Sequence, residues 1–76
     1  MNNKRREVLS RASDFLSRAY ELVSQVLDEE QDNLDNTPDN LIDSERYQRR
    51  EEAIEKLEEV VDQIEEAKTN IETAAE

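Results

Sequence analysis

Apolar residues recur along this chain at three- and four-residue steps in two long runs, separated by a polar stretch rich in turn-forming residues. In the first run Leu9, Ala12, Leu16, Ala19, Val23 and Val26 take the a and d positions of a heptad. Val8, Phe15 and Leu22 flank them at g, and Tyr20 and Leu27 at e. The spacing predicts a helix over about residues 3–31, with Asn2 or Asn3 as its N-cap. Its apolar face spans g, a, d and e. A two-helix hairpin needs a narrower seam, so the width implies contact with more than one neighbouring helix.

In the second run Tyr47, Ile54, Leu57, Val61, Ile64, Ile71 and Ala75 hold a and d positions, with Arg50 and Lys68 as polar exceptions. Ala53, Val60, Ala67 and Ala74 form a flanking row of mostly small residues that lets another helix come close. A second helix over about residues 45–74 follows. Lys68 either fixes register at some cost in stability or lays its stem over apolar surface with its ammonium in water. Between the runs, residues 32–44 contain Asn33, Asn36, Thr37, Pro38, Asp39, Asn40 and Asp43. Thr37 before Pro38 reads as an N-cap with proline in the first helical position. A short helical turn there would set Leu41 and Ile42 over the end of the bundle. Ser44 offers a second N-cap, followed by Glu45, whose charge suits a helix N-terminus.

Charge selects the topology. Residues 1–27 carry a net +2, whereas residues 28–45 and 51–76 each carry −8. Lys4, Arg5 and Arg6 start the first helix and Asp28, Glu29 and Glu30 end it, against the helix dipole. An antiparallel hairpin explains that order. Arg5, Arg11 and Arg18 then approach the acidic second half of helix two, and Arg46, Arg49 and Arg50 approach Asp28 to Asp32. Each exposed pair contributes only roughly 0–1 kcal/mol, but together they favour antiparallel packing. The fold class is therefore all-α: a coiled-coil-like antiparallel two-helix hairpin in a single domain over residues 1–76. Its wide first helix implies a homodimer, two hairpins forming a four-helix bundle. Phe15, Leu16, Leu22, Val23, Ile54, Leu57, Val61 and Ile64 are the expected dimer core.

A chain of 76 residues is one domain at most, and small domains commonly lean on disulfides, metals or oligomerisation. The sequence has no Cys and no His, which removes disulfides and the usual zinc, haem and iron–sulfur ligands. Oligomerisation remains. No apolar run is long enough to span a membrane, and no apolar stretch follows the basic N-terminus as in a secretory signal. Cytoplasmic residence is the expectation. A net charge of −11 opposes binding to nucleic acid or anionic membranes and favours partners with basic surfaces.

The chemistry of catalysis finds little footing. General acid–base work needs carboxylates held in a pocket, and these acids fall on outer helical positions. Ser10, Ser13, Ser17, Ser24 and Ser44 have no histidine to activate them. The acidic connection departs from a calcium-binding loop, with Leu34 at its third position from Asp32 and no Gly, although weak cation binding by Asp32, Asp35 and Asp39 stays open. Lys4, Arg5, Arg6 and Arg11 lack the interleaved aromatics of a nucleic-acid site. No enzyme and no cofactor are expected.

The acidic face of the second helix is the strongest signal. Glu51 to Glu76 spans roughly 37 Å of helix. Its carboxylates fall at about one per 4 Å, close to the phosphate spacing of about 3.4 Å along a DNA strand. A rigid row of anions at that density can compete with nucleic acid for a basic groove. The plainer alternative is that the face keeps a small bundle soluble. The expected partner-binding residues are Glu51, Glu55, Glu58, Glu59, Asp62, Glu65 and Glu66, with Asp28, Glu29, Glu30 and Asp32 as a second patch.

The stretch Asp35 to Ala74 resembles small acidic helical-hairpin proteins carried by phages and other mobile elements. The likeness lies in the turn from Asn36-Thr37-Pro38 to Ser44-Glu45-Arg46 and in the helix opened by Glu51-Glu52-Ala53-Ile54. It covers roughly half of the chain and implies a helical hairpin of mobile-element origin in a bacterial host cytoplasm. Phage proteins of this size and charge include anti-CRISPR proteins, which occupy nucleic-acid-binding surfaces of RNA-guided nucleases. The resemblance therefore implies an inhibitor that blocks a basic nucleic-acid-binding protein. The competing expectation is a structural or assembly coiled-coil module acting through apolar association.

Overall fold

The structure, a computed structural model, describes residues 1–76. Helix α1 runs Asn3–Asp35 and helix α2 runs Glu45–Ala74; a single 3₁₀ turn, Asp39–Leu41, lies between them. The two helices pack side by side into an antiparallel rod of 59 × 14 × 13 Å. The protein is thus all-α, a two-helix hairpin.

The helix starts follow local chemistry. Asn2 caps α1, its Oδ1 accepting from the Arg5 backbone N–H at 2.8 Å, and Ser44 caps α2, its Oγ accepting from the Tyr47 N–H at 3.1 Å. The end of α1 lies one turn beyond the expected stop near Gln31. Asn36 and Thr37 account for the extension: the Asn36 amide donates to the Asp32 carbonyl at 2.8 Å and the Thr37 hydroxyl to the Asn33 carbonyl at 3.0 Å. They satisfy carbonyls that would otherwise be left bare at a helix C-terminus. Thr37 therefore closes α1 and does not cap the next turn, whose first flanking residue is Pro38 with no side-chain cap. Leu41 and Ile42 stand exposed at the tip of the loop; within the hairpin they do not cover its end.

Both ends of the rod show the antiparallel order. At one end Arg6 donates from Nε to the Ala75 carbonyl at 2.8 Å, satisfying a C-terminal carbonyl of α2 with a positive charge. At the other, Arg50 Nε lies 3.1 Å from Glu30 Oε2. The remaining ion pairs stay within one helix: Arg18–Glu21, Arg49–Glu45 and Lys56–Glu59. The expected reach of Arg5, Arg11 and Arg18 to α2 is not what forms: Arg18 pairs with Glu21 one turn away on its own helix, and Arg5 and Arg11 form no ion pair.

Helix α2 presents its a and d positions to α1 as the heptad predicts. Ile54 is buried at 5 % exposure, and Tyr47, Arg50, Leu57, Val61, Ile64, Lys68, Ile71 and Ala75 are half-buried. Helix α1 differs from expectation. Its inward row is Leu9, Ser13, Leu16, Tyr20, Val23, Leu27 and Leu34, all half-buried. The expected d residue Val26 is 47 % exposed. The a row and the flanking e row thus form the seam; of the d row Ala12 and Ala19 are half-buried beside it and Val26 is turned outward, as is the g row. Ser13 pays for its inward place: its Oγ is enclosed with no hydrogen-bond partner. Only Ile54 of the whole protomer is buried, so one hairpin holds a seam more than a core.

Candidate functional site: an acidic face opposite an apolar one

Tyr20 of α1 lies beside Glu65 and Asp62 of α2. Hydrogen bonding to Glu65 raises its phenol pKa above the ordinary 10.0, and the charge of Glu65 raises it further. Lost hydration adds to this, Ser24 opposes it, and Asp62 raises it again. Further along, Ser10, Ser13, Asp14 and Ser17 of α1 line one shallow groove with Lys68, Ile71 and Glu72 of α2. Serines of α1 therefore border the Glu51, Glu58, Glu65 and Glu72 row of α2, whose members are spaced by seven residues.

Seven-residue spacing then extends this face on both flanks. On α2 the next row holds Glu55 and Asp62; on α1 it holds Glu7, Asp14, Glu21 and Asp28. All of these side chains are exposed. No Lys or Arg falls in those rows. Arg18 reaches in from the neighbouring row to pair with Glu21 at 3.2 Å. Glu52, Glu59 and Glu66 stand on the outermost line of α2, and Lys56 reaches Glu59 at 3.4 Å.

Of the residues anticipated for partner binding, Glu51, Glu55, Glu58, Asp62 and Glu65 lie together on this broad face, while Glu59 and Glu66 lie at its edge. Asp28, Glu29, Glu30 and Asp32 sit at the loop end and do not form one patch. Asp28 belongs to the acidic face, Glu30 is half-buried against Arg50, and Glu29 accepts from the Gln25 amide and points to the other side of α1. The α1 contribution of Glu7, Asp14 and Glu21 escaped the reading of α2 alone. Their own seven-residue spacing was the available signal.

The opposite broad face has the reverse character. Val8, Phe15, Leu22 and Val26 of α1 are exposed there, Phe15 to 77 %. Beside them run Ala53, Val60, Ala67 and Ala74 of α2. Of the eight residues expected in a dimer core, Ile54 is buried, Leu16, Val23, Leu57, Val61 and Ile64 are half-buried in the hairpin seam, and Phe15 and Leu22 lie open on this outer face.

An array of exposed carboxylates holds charge and does not enclose a substrate. No three acids converge in a way that could hold a metal ion. No helix is long and apolar enough to cross a membrane. No protein family model, curated protein or solved structure matches this chain.

Proposed function

We propose that the protein is a non-enzymatic binding protein that occupies a basic, nucleic-acid-binding surface of another protein, as an anti-CRISPR-type phage inhibitor does. One observation carries the reading. Glu7, Asp14, Glu21 and Asp28 of α1 share a broad face with Glu51, Glu55, Glu58, Asp62, Glu65 and Glu72 of α2, and no base lies in their rows. Carboxylates fixed on two packed helices are ordered before they meet a partner, so binding costs little further ordering entropy. The partner's groove is one built for phosphates, and competition with nucleic acid is the mechanism. The protein acts as a homodimer, a four-helix bundle in which the apolar faces are turned together and the acidic faces outward.

Capture from a bacterial lysate at low salt tests this. The wild-type chain should retain nucleic-acid-binding proteins. A variant with Glu51, Glu58, Glu65 and Glu72 changed to Lys should retain none of them while keeping its helical circular dichroism. Equal capture by both chains would refute the electrostatic reading. The exposed apolar face favours a second reading, an assembly module. In that case the acid-to-Lys variant stays functional and Phe15→Asp abolishes function.

A further inference from the structure

Helix α1 carries two heptad seams; the hairpin uses one of them and leaves Val8, Phe15, Leu22 and Val26 of the other exposed, with Ala12 and Ala19 half-buried between. The inward row is Arg6, Leu9, Ser13, Leu16, Tyr20, Val23, Leu27 and Glu30. The residue before each of these makes a second row: Arg5, Val8, Ala12, Phe15, Ala19, Leu22, Val26 and Glu29. One residue is about 100° of helix, so the two rows look toward directions about a right angle apart. That is the angle between neighbouring helices in a four-helix bundle. The inward row ends in polar bonds, Arg6 to the Ala75 carbonyl and Glu30 to Arg50. At the matching ends of the outward row stand Arg5 and Glu29, neither of which has an ion pair.

We propose that α1 pairs antiparallel with α1 of a second copy through this outward row, Arg5 of each chain meeting Glu29 of the partner subunit. This rests on the homodimer reading above and adds to it the face, the direction and the register. The row is complementary to its own reverse. With Arg5 opposite Glu29, Val8 faces Val26, Ala12 faces Leu22, and Phe15 faces Ala19. Each large side chain meets a small one, except the two valines, which match each other. A parallel pairing would set Phe15 on Phe15, Ala12 on Ala12 and Arg5 on Arg5. Antiparallel pairing also brings the basic start of α1, Lys4 to Arg6, beside the acidic end, Asp28 to Asp32, of the other copy.

The elongated protomer has surface enough for such an interface. The protomer exposes 6058 Å², against roughly 4,800 Å² for a compact monomer of this mass. The excess of about 1,200 Å² exceeds the roughly 800 Å² that each partner buries in a standard interface.

The chain has no cysteine, so introduced thiols report pairing without background. Chains carrying Ala12→Cys are mixed with chains carrying Leu22→Cys, oxidised mildly and weighed. The mixed disulfide should dominate. Separately, Arg5→Glu and Glu29→Arg should each weaken dimerisation about tenfold in sedimentation, and the double exchange should restore it. Self-linked Ala12→Cys chains, a dimer that forms no disulfide in the mixture, or no rescue by the double exchange would each overturn this register while leaving a dimer standing. A wild-type chain that sediments as a monomer at tens of micromolar removes both the dimer and the register. The acidic-face reading is judged independently, by capture.

Discussion

Arg50 and Glu30 form the only ion pair that joins the two helices, with Nε 3.1 Å from Oε2 and both side chains about two-thirds shielded from water. Arg50 holds a d position of the α2 heptad where an apolar residue would ordinarily sit. The pair closes the loop end of the rod, and Arg6 on the Ala75 carbonyl closes the other end.

Arg50→Ala leaves Glu30 half-buried without a partner and should cost about 1 kcal/mol in urea unfolding. Arg49→Ala removes the Arg49–Glu45 pair, which is mostly in solvent, and should change stability by less than about 0.5 kcal/mol.

Ile54 and Phe15 separate hairpin stability from association. Ile54→Ala empties the best-packed site of the seam and should cost about 2–4 kcal/mol at any protein concentration. Phe15→Ala touches a ring that is 77 % exposed in the protomer. Its effect should vanish on dilution below the dimer dissociation constant, read by thermal unfolding over a concentration series.

Ser13→Ala should stabilise the hairpin by about 0.5–1 kcal/mol. It removes an enclosed hydroxyl without a partner and supplies a better helix former. Ser10→Ala, on the exposed neighbouring position, should gain only the smaller propensity increment.

The helix starts and most of the α2 seam were legible because local rules and tertiary packing agree there. Ser44 caps α2, and Ile54, Leu57, Val61 and Ile64 face α1. The α1 seam departs from the expected a and d rows at Val26, which is exposed, and takes in Ser13, Tyr20 and Leu27 of the e row. Val26 and Leu27 are both apolar, and Ala12 is more apolar than Ser13, so heptad counting from α1 alone does not single out the e row. The packing against α2 shows it: Tyr20 lies beside Glu65, and Arg6 and Glu30 meet the two ends of α2. The acidic face was half legible. The α2 rows stood out by density, whereas Glu7, Asp14 and Glu21 join them only when the hairpin fixes which side of α1 lies beside Glu65. Thr37 misled because its hydroxyl serves the helix behind it.

Tyr20 couples folding to alkaline pH. Its phenol pKa is raised in the folded state by Glu65, so the neutral form is favoured on folding. That contribution is fully present below the ordinary value of 10.0 and is lost as pH rises through the folded value. In a Tyr47→Phe background, ultraviolet titration should show the remaining tyrosine ionising above 10.0, and Glu65→Gln should bring it down. Stability should be less sensitive to alkaline pH in Tyr20→Phe.

The central claim is that a preformed anionic face competes with nucleic acid for a basic groove, and salt tests it most directly. Affinity for the captured partner is measured by calorimetry from about 50 to about 500 mM salt, where the screening length shortens severalfold. The account predicts that binding weakens at least tenfold and that DNA or RNA bound by the partner is displaced in proportion. Affinity that stays constant across that range, or a partner that holds its nucleic acid and this protein together, would contradict it.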